Sequence, residues 1–237
     1  MKYPSIALWG DSIGRGIDFD EVRGRYVVLK QTFYKLLEER GIIRIDNHAK
    51  FGATVTDGLQ DFEATQGIDS RYVAIEYGGN DCNFAWEKAA VNPQGVYEAN
   101  TPLPLFEQTL RHFVLAVRER GLKPLLVTPP PLYAQRFVAW VSQGLDKANI
   151  LKYLGDEQHV YRWQERYALA VHRVAAAMAC PLFDLRDVFL VCDDFPGLYG
   201  VDGMHPNAQA HDLIARAMEE SLAGGLITGE GPADSEA

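Results

Sequence analysis

The chain has 237 residues, 47% of them hydrophobic and 23% charged, which is enough for one sizeable core. With 23 Lys and Arg against 32 Asp and Glu the formal net charge is −9, and the basic residues are interleaved with acids, which excludes a general nucleic-acid binder. No run reaches the ~20 apolar residues that cross a bilayer, so no membrane insertion is expected.

Three cysteines, Cys82, Cys180 and Cys192, are too widely spaced for a disulfide framework or a paired metal site. A single Lys2 before a short apolar run does not make a signal peptide. A cytoplasmic protein with free thiols is the resulting expectation.

In chain order, residues 5–9 read as a buried strand that stops at Gly10-Asp11-Ser12. Residues 26–40 carry Leu29, Phe33, Leu36 and Leu37 at helical spacing and end at Gly41. A second strand over 42–47 is followed by Phe51-Gly52-Ala53-Thr54, and a third over 72–77 by Gly78-Gly79-Asn80-Asp81. Residues 82–104 form a long segment bearing Phe84, Trp86 and Tyr97. Phe106, Leu110, Phe113, Val114 and Val117 then mark a helix stopped by Gly121, with a fourth strand over 124–128.

Residues 129–162 open on three prolines and carry Tyr133, Phe137, Trp140, Tyr153 and Tyr161, as a structural cover or a pocket wall. A helix over 163–178, a strand over 182–185 and a helix over 208–222 complete the pattern. Pro206 suits the first position of that last helix. Residues 224–237 are small, polar and acidic and read as a frayed tail. Strands alternating with helices predict an α/β chain: a three-layer α/β/α sandwich around a mainly five-stranded parallel sheet, with residues 1–223 as one domain.

The three turns that follow the first three strands would open onto one crevice, because ligands of open α/β sheets bind beyond the carboxyl ends of the strands. A phosphate cradle at Gly10 to Gly16 fails on spacing. A dinucleotide fingerprint continuing from Gly14-Arg15-Gly16 needs glycine where Phe19 stands, and no Gly-Lys-Ser/Thr follows. A nucleophile seat fits better. Asp202 lies three residues before His205, so one turn can bring both to the same side, the carboxylate orienting the imidazole and the imidazole facing Ser12 as base. Donors for a developing oxyanion are the Ser12 N–H, the Gly52 N–H and the uncharged amide of Asn80. Asp11, despite its position, is expected to bond locally and hold the turn. A metal site from Asp202, His205 and His211 is the weaker alternative. His48, near Gly52, is a candidate substrate contact.

Gly-Asp-Ser near the start, a glycine after strand two, Gly-x-Asn-Asp after strand three and Asp-x-x-His near the end together resemble the SGNH (GDSL-like) hydrolase family, in family order and over nearly the whole chain. The resemblance implies a flavodoxin-like sheet and ester hydrolysis with no metal and no cofactor. It implies Ser12 as nucleophile, His205 as base and Asp202 as its orienter. Ser12, Gly52 and Asn80 would form the oxyanion hole, with Asp11, Gly79 and Asp81 as motif support. Ile13 replaces the family's common leucine, and Asn47-His48-Ala49-Lys50-Phe51-Gly52 lacks the middle glycine of the second motif.

The implied activity is that of a carboxylesterase or acetylesterase on a short-chain acyl ester of a small molecule or carbohydrate. Lysophospholipase, thioesterase or acyltransferase chemistry would use the same site. A non-catalytic binding module of the same fold is the reading from a different class, but it would be expected to have lost Ser12, His205 or Asn80, and all three are present.

Overall fold

In the computed structural model, which describes residues 5–227, the strands are β1 (Ser5–Gly10), β2 (Ile17–Asp20), β3 (Arg25–Val28), β4 (Arg44–Asn47), β5 (Tyr72–Glu76), β6 (Lys123–Val127) and β7 (Leu182–Phe183). The helices are α1 (Ser12–Arg15), α2 (Phe33–Glu39), α3 (Val55–Ala64), α4 (Trp86–Val91), α5 (Leu103–Glu119), α6 (Ala134–Val141), α7 (Lys147–Leu154), α8 (His159–Ala177), α9 (Leu185–Leu190) and α10 (Ala208–Ala223). Five strands form a parallel sheet in the order β4-β1-β5-β6-β7.

Side chains alternate across a strand, so each central strand supplies two cores. Ile6 and Leu8 of β1, Ala74 of β5 and Leu125 and Val127 of β6 face α2, α9 and α10, through Leu37, Phe189 and Ile214. Ala7 and Trp9, Val73 and Ile75, and Leu126 face the other way, onto Phe62 of α3, Phe113 of α5 and Val171 of α8. Strands covered on both faces are why the sequence reads there as unbroken apolar runs. The result is the expected three-layer α/β/α arrangement. From β1 the chain builds first to one side (β4) and then returns to the other (β5). The order therefore reverses beside β1, where a crevice opens beyond the strand ends.

The expected helix over 26–40 is corrected. Its first part is strand β3, paired antiparallel with β2 so that Tyr26 lies opposite Phe19 and Val27 opposite Asp18. Only Phe33–Glu39 is helical. β-branched Val27 and Val28 favour an extended chain once β2 offers a partner, and that partner lies outside the periodicity that suggested a helix. Pro206 is also not the first helical residue. Asn207 caps α10, its side-chain oxygen accepting from Ala210 N at 3.1 Å, and Pro206 instead bridges back to Tyr199. Leu185, placed at the end of the last strand, opens α9, because Asp184 caps that helix through Asp187 N.

The two long segments hold helices. Residues 82–104 contain α4, and residues 129–162 contain α6, α7 and the start of α8. Phe84, Trp86, Leu132, Phe137, Val138, Ile150, Leu154 and Val160 join them into a third core above the sheet's carboxyl edge. Of the expected tail, Leu226 and Ile227 pack against the α10 side of the sheet, and residues 228–237 lie outside the described residues.

Candidate active site

β1 ends at Gly10, opposite Glu76 of β5. The strands approach so closely that a Cβ on Gly10 would stand 2.9 Å from Glu76 Oε2, which explains the glycine at the turn. Asp11 then caps α1, its Oδ1 accepting from Ile13 N at 2.8 Å. Ser12 is thereby the first residue of α1, where a backbone N–H has no partner inside the helix.

Glu76 was hidden in the sequence as one more strand residue. It is fully buried beneath this turn, and its Oε2 accepts from Asp11 N and Gly14 N, each at 3.3 Å, while Oε1 has no partner among the described residues. Burial, reinforced by the neighbouring Asp11 charge, pushes the Glu76 carboxyl well above its ordinary range. Burial likewise raises Asp11 to about 6, against the pull of the Ile13 hydrogen bond and the His205 charge. The buried acid at position 76 thus supports the turn that carries the acidic cap at position 11. Glu76→Leu would strand two buried N–H groups, at about 1–3 kcal/mol each. It is expected to lower the melting temperature by several degrees or more, with Glu76→Gln close to the parent. A Glu76→Leu protein that melts with the parent would show that the turn does not need this acid.

At the far end of the chain, Asp202 and His205 occupy a loop before α10. Asp202 Oδ1 accepts from Met204 N and His205 N, both at 3.0 Å, which curls the loop onto its own carboxylate. Asp202 Oδ2 lies 2.5 Å from His205 Nδ1, and His205 Nε2 lies 2.9 Å from Ser12 Oγ. Asp202 is completely buried and His205 is 3% exposed. Burial opposes the Asp202 charge, yet the His205 ring and the two backbone N–H groups outweigh it and hold the carboxyl below its usual range. An imidazole held in this way has its second nitrogen aimed at the Ser12 hydroxyl, the geometry in which it can take the hydroxyl proton.

Asn80 stands between the turns. Its Nδ2 lies 3.1 Å from Asp11 Oδ2 and 3.2 Å from Ala53 O. Gly79 approaches Asp11 so closely that a Cβ there would lie 3.2 Å from Asp11 Oδ2. Asp81 is buried, accepts from Val55 N at 3.0 Å, and is raised by burial to about 7, tying the β5 turn to the start of α3. Gly52 has φ +78° and open space where a Cβ would go. Glycine is thus needed there for its left-handed backbone rather than for clearance. Gly52 is not among the residues lining the cleft at Ser12, although the Phe51 ring stacks beside His205 at 6.2 Å.

Two expectations are redirected. His48 stacks flat on Trp9, with ring centroids 4.1 Å apart, and its Nε2 faces Asp46 at 3.2 Å. His211 stacks on Phe33 inside the core, its Nδ1 accepting from Phe33 N, and burial lowers it to about 4. It therefore does not join Asp202 and His205, and no group of three or more potential metal ligands exists among the described residues. Sequence reasoning also missed what the hairpin brings in. Tyr26 lies against His205, ring centroids 5.1 Å apart, and half-buried Asp18 is raised by burial to about 6, with the charge of Asp202 adding to the shift. The alternation Ile17-Asp18-Phe19-Asp20 was the available signal for that hairpin.

A buried acid–imidazole–hydroxyl chain at the carboxyl edge of a flavodoxin-like sheet defines a candidate hydrolase. The family model of the GDSL-like lipase/acylhydrolase family matches residues 8–213, and the chain belongs to that family of carboxylic ester hydrolases. Solved structures agree on the fold. The lipase/acylhydrolase from Enterococcus faecalis is 21% identical, covering 96% of this chain and 100% of that one at TM-score 0.63. A catalytic mutant of Axe2, an acetylxylan esterase from Geobacillus stearothermophilus, is 19% identical over 97% and 99% at TM-score 0.60. A GDSL-like lipase from Bacteroides thetaiotaomicron is 15% identical over 93% and 88% at TM-score 0.61. No curated protein sequence matches the chain. No helix among the described residues is long and apolar enough to cross a membrane.

Proposed function

We propose that the protein hydrolyses carboxylic esters of small molecules through an acyl-enzyme on Ser12. The observation that carries this reading is the 2.9 Å contact between His205 Nε2 and Ser12 Oγ, with His205 Nδ1 held by buried Asp202. His205 takes the Ser12 proton as Oγ attacks the ester carbonyl, and the protonated ring then hands that proton to the departing alcohol. Water repeats the sequence: His205 takes its proton as the water oxygen bonds to the acyl carbon, the acyl–oxygen bond to Ser12 breaks, the ring returns the proton to Ser12 Oγ, and the acid leaves. Asp202, held ionised, keeps the Nδ1–H directed at itself and stabilises the charged ring.

The tetrahedral oxyanion would be met by the Ser12 N–H, the Gly52 N–H and the Asn80 amide. One Asn80 hydrogen is held by Asp11 and the other, on Ala53 O at 3.2 Å, is the one the substrate would capture. Asn80→Ala is expected to lower kcat by roughly 10²–10³-fold. A change below threefold would remove Asn80 from the reaction. An acetylated carbohydrate, the substrate type named for the Geobacillus esterase, and other short-chain esters are the first substrates to assay.

A further inference from the structure

Ser12 opens into a cleft, and just over half of the residues lining it come from the two segments that interrupt the simple strand–helix alternation. Phe84 and Trp86 come from residues 82–104, and Leu132, Phe137, Leu154 and Val160 from residues 129–162. These side chains are the cleft face of the third core, so the surface is fixed by packing on its far side. Ring contacts such as Phe84 to Trp86, centroids 4.1 Å apart, and Trp86 to Phe137, 5.7 Å, hold it further.

Most polar groups along that wall are turned into the protein, while His159, half-buried, stacks on Trp163 at the cleft. Trp86 Nε1 donates to Asn83 Oδ1, and Trp163 Nε1 to Cys82 O, both at 2.8 Å. Gln164 is used at both ends: its Nε2 donates to Pro130 O at 2.8 Å and its Oε1 accepts from Arg186 at 3.0 Å. Arg186 is itself buried and ion-paired with Glu165. The Cys82 thiol is directed at Gly79 O. A sugar placed here would exchange its hydration for a wall most of whose donors and acceptors are already committed, which costs free energy. A hydrocarbon chain would lose only water.

His205 fixes the polarity of the substrate. The departing alcohol must lie at Nε2 to receive its proton, and beside that ring stand Tyr26 and exposed Phe51. An acyl group on the far side of the carbonyl carbon from Nε2 has the apolar side of the same cleft, which His205 and Met204 also line, open to it. We infer that the cleft formed by Phe84, Trp86, Leu132, Phe137, Leu154 and Val160 is an acyl pocket for a medium-length hydrocarbon chain, so that the preferred substrate is a medium-chain acyl ester rather than an acetate. This rests on the ester-hydrolase reading, and it names the substrate class of the same site.

The test is a series of p-nitrophenyl esters from acetate to decanoate, with acetylated xylose alongside, on the parent, Ser12→Ala and Val160→Phe. Each buried methylene is worth about 0.8 kcal/mol, or about fourfold. The six extra methylenes of octanoate should therefore raise kcat/KM over acetate by at least ~30-fold, even with burial far from complete. Val160→Phe fills the pocket and should lower the octanoate-to-acetate ratio by at least ~10-fold. Octanoate should also inhibit the parent competitively, and acetate should not at equal concentration. A parent profile that peaks at acetate or acetylated xylose overturns the inference, as does an unchanged ratio in a Val160→Phe protein that melts cooperatively. If that variant does not fold, the inhibition of the parent decides, and no competition by octanoate overturns the pocket. Hydrolysis that survives in Ser12→Ala at every chain length would instead sink the acyl-enzyme on Ser12, and a parent that hydrolyses none of these esters would sink the ester-hydrolase reading, so the failures are distinguishable.

Discussion

Ser12→Ala is expected to lower kcat for a good ester by roughly 10⁴–10⁶-fold while the protein still folds. The size follows from what is lost. Without Oγ there is no covalent intermediate, and His205 has no hydroxyl to deprotonate at 2.9 Å. What remains is water attacking a carbonyl held near the oxyanion donors, which accounts for the residual rate. Folding should be little affected, because Ser12 is 7% exposed at the cleft floor and the turn is held by Asp11, Glu76 and Ile13 rather than by the hydroxyl. Intact-mass analysis during turnover of a slow ester supplies a second readout. The parent should carry an added acyl group and the variant none. Turnover within tenfold of the parent would remove Ser12 as nucleophile.

The second large effect is expected at Asp202→Asn, at about 10⁴-fold in kcat with little change in KM. An amide at this position keeps one oxygen for Met204 N and His205 N, now at 3.0 Å, so the loop should survive. Its NH₂ group, however, would donate to His205 Nδ1. The ring proton would then sit on Nε2, facing Ser12, and the base would have no lone pair to offer the hydroxyl. The carboxylate at position 202 is held below its ordinary pKa range, so the parent keeps the productive tautomer throughout the neutral range. Asp202→Asn activity within tenfold of the parent, at an unchanged melting temperature, would show that this carboxylate does not select the tautomer.

Much of this site was legible because its parts are local. Asp202 and His205 are three residues apart, so their pairing needs only a turn, and Gly10-Asp11-Ser12 shows a strand ending on a hydroxyl. The strands were legible where both faces are buried, since β1, β5 and β6 then carry little but apolar residues.

What escaped was written in contacts between distant segments. Tyr26 carries no mark of its neighbour His205, and its helical spacing with Leu29 and Phe33 was overridden by pairing with β2. Glu76 sits in the run Tyr72-Val73-Ala74-Ile75-Glu76, where its role depends on two N–H groups from the β1 turn. The aromatic residues of 82–104 and 129–162 were visible, but not that they share one core or which face of that core meets Ser12.

By itself, then, the sequence determined the chemistry on offer: a hydroxyl at a strand end, an acid three residues ahead of an imidazole, and uncharged donors at two further strand ends. Only the tertiary structure decided that Ser12 and His205, 193 residues apart, meet at 2.9 Å. It alone turned most polar groups of the inserted helices inward and set a largely apolar wall beside the nucleophile. The physical reason is range. Turns and caps are specified by neighbours a few residues away, whereas burial and pairing are specified by whichever segments the packed core brings together.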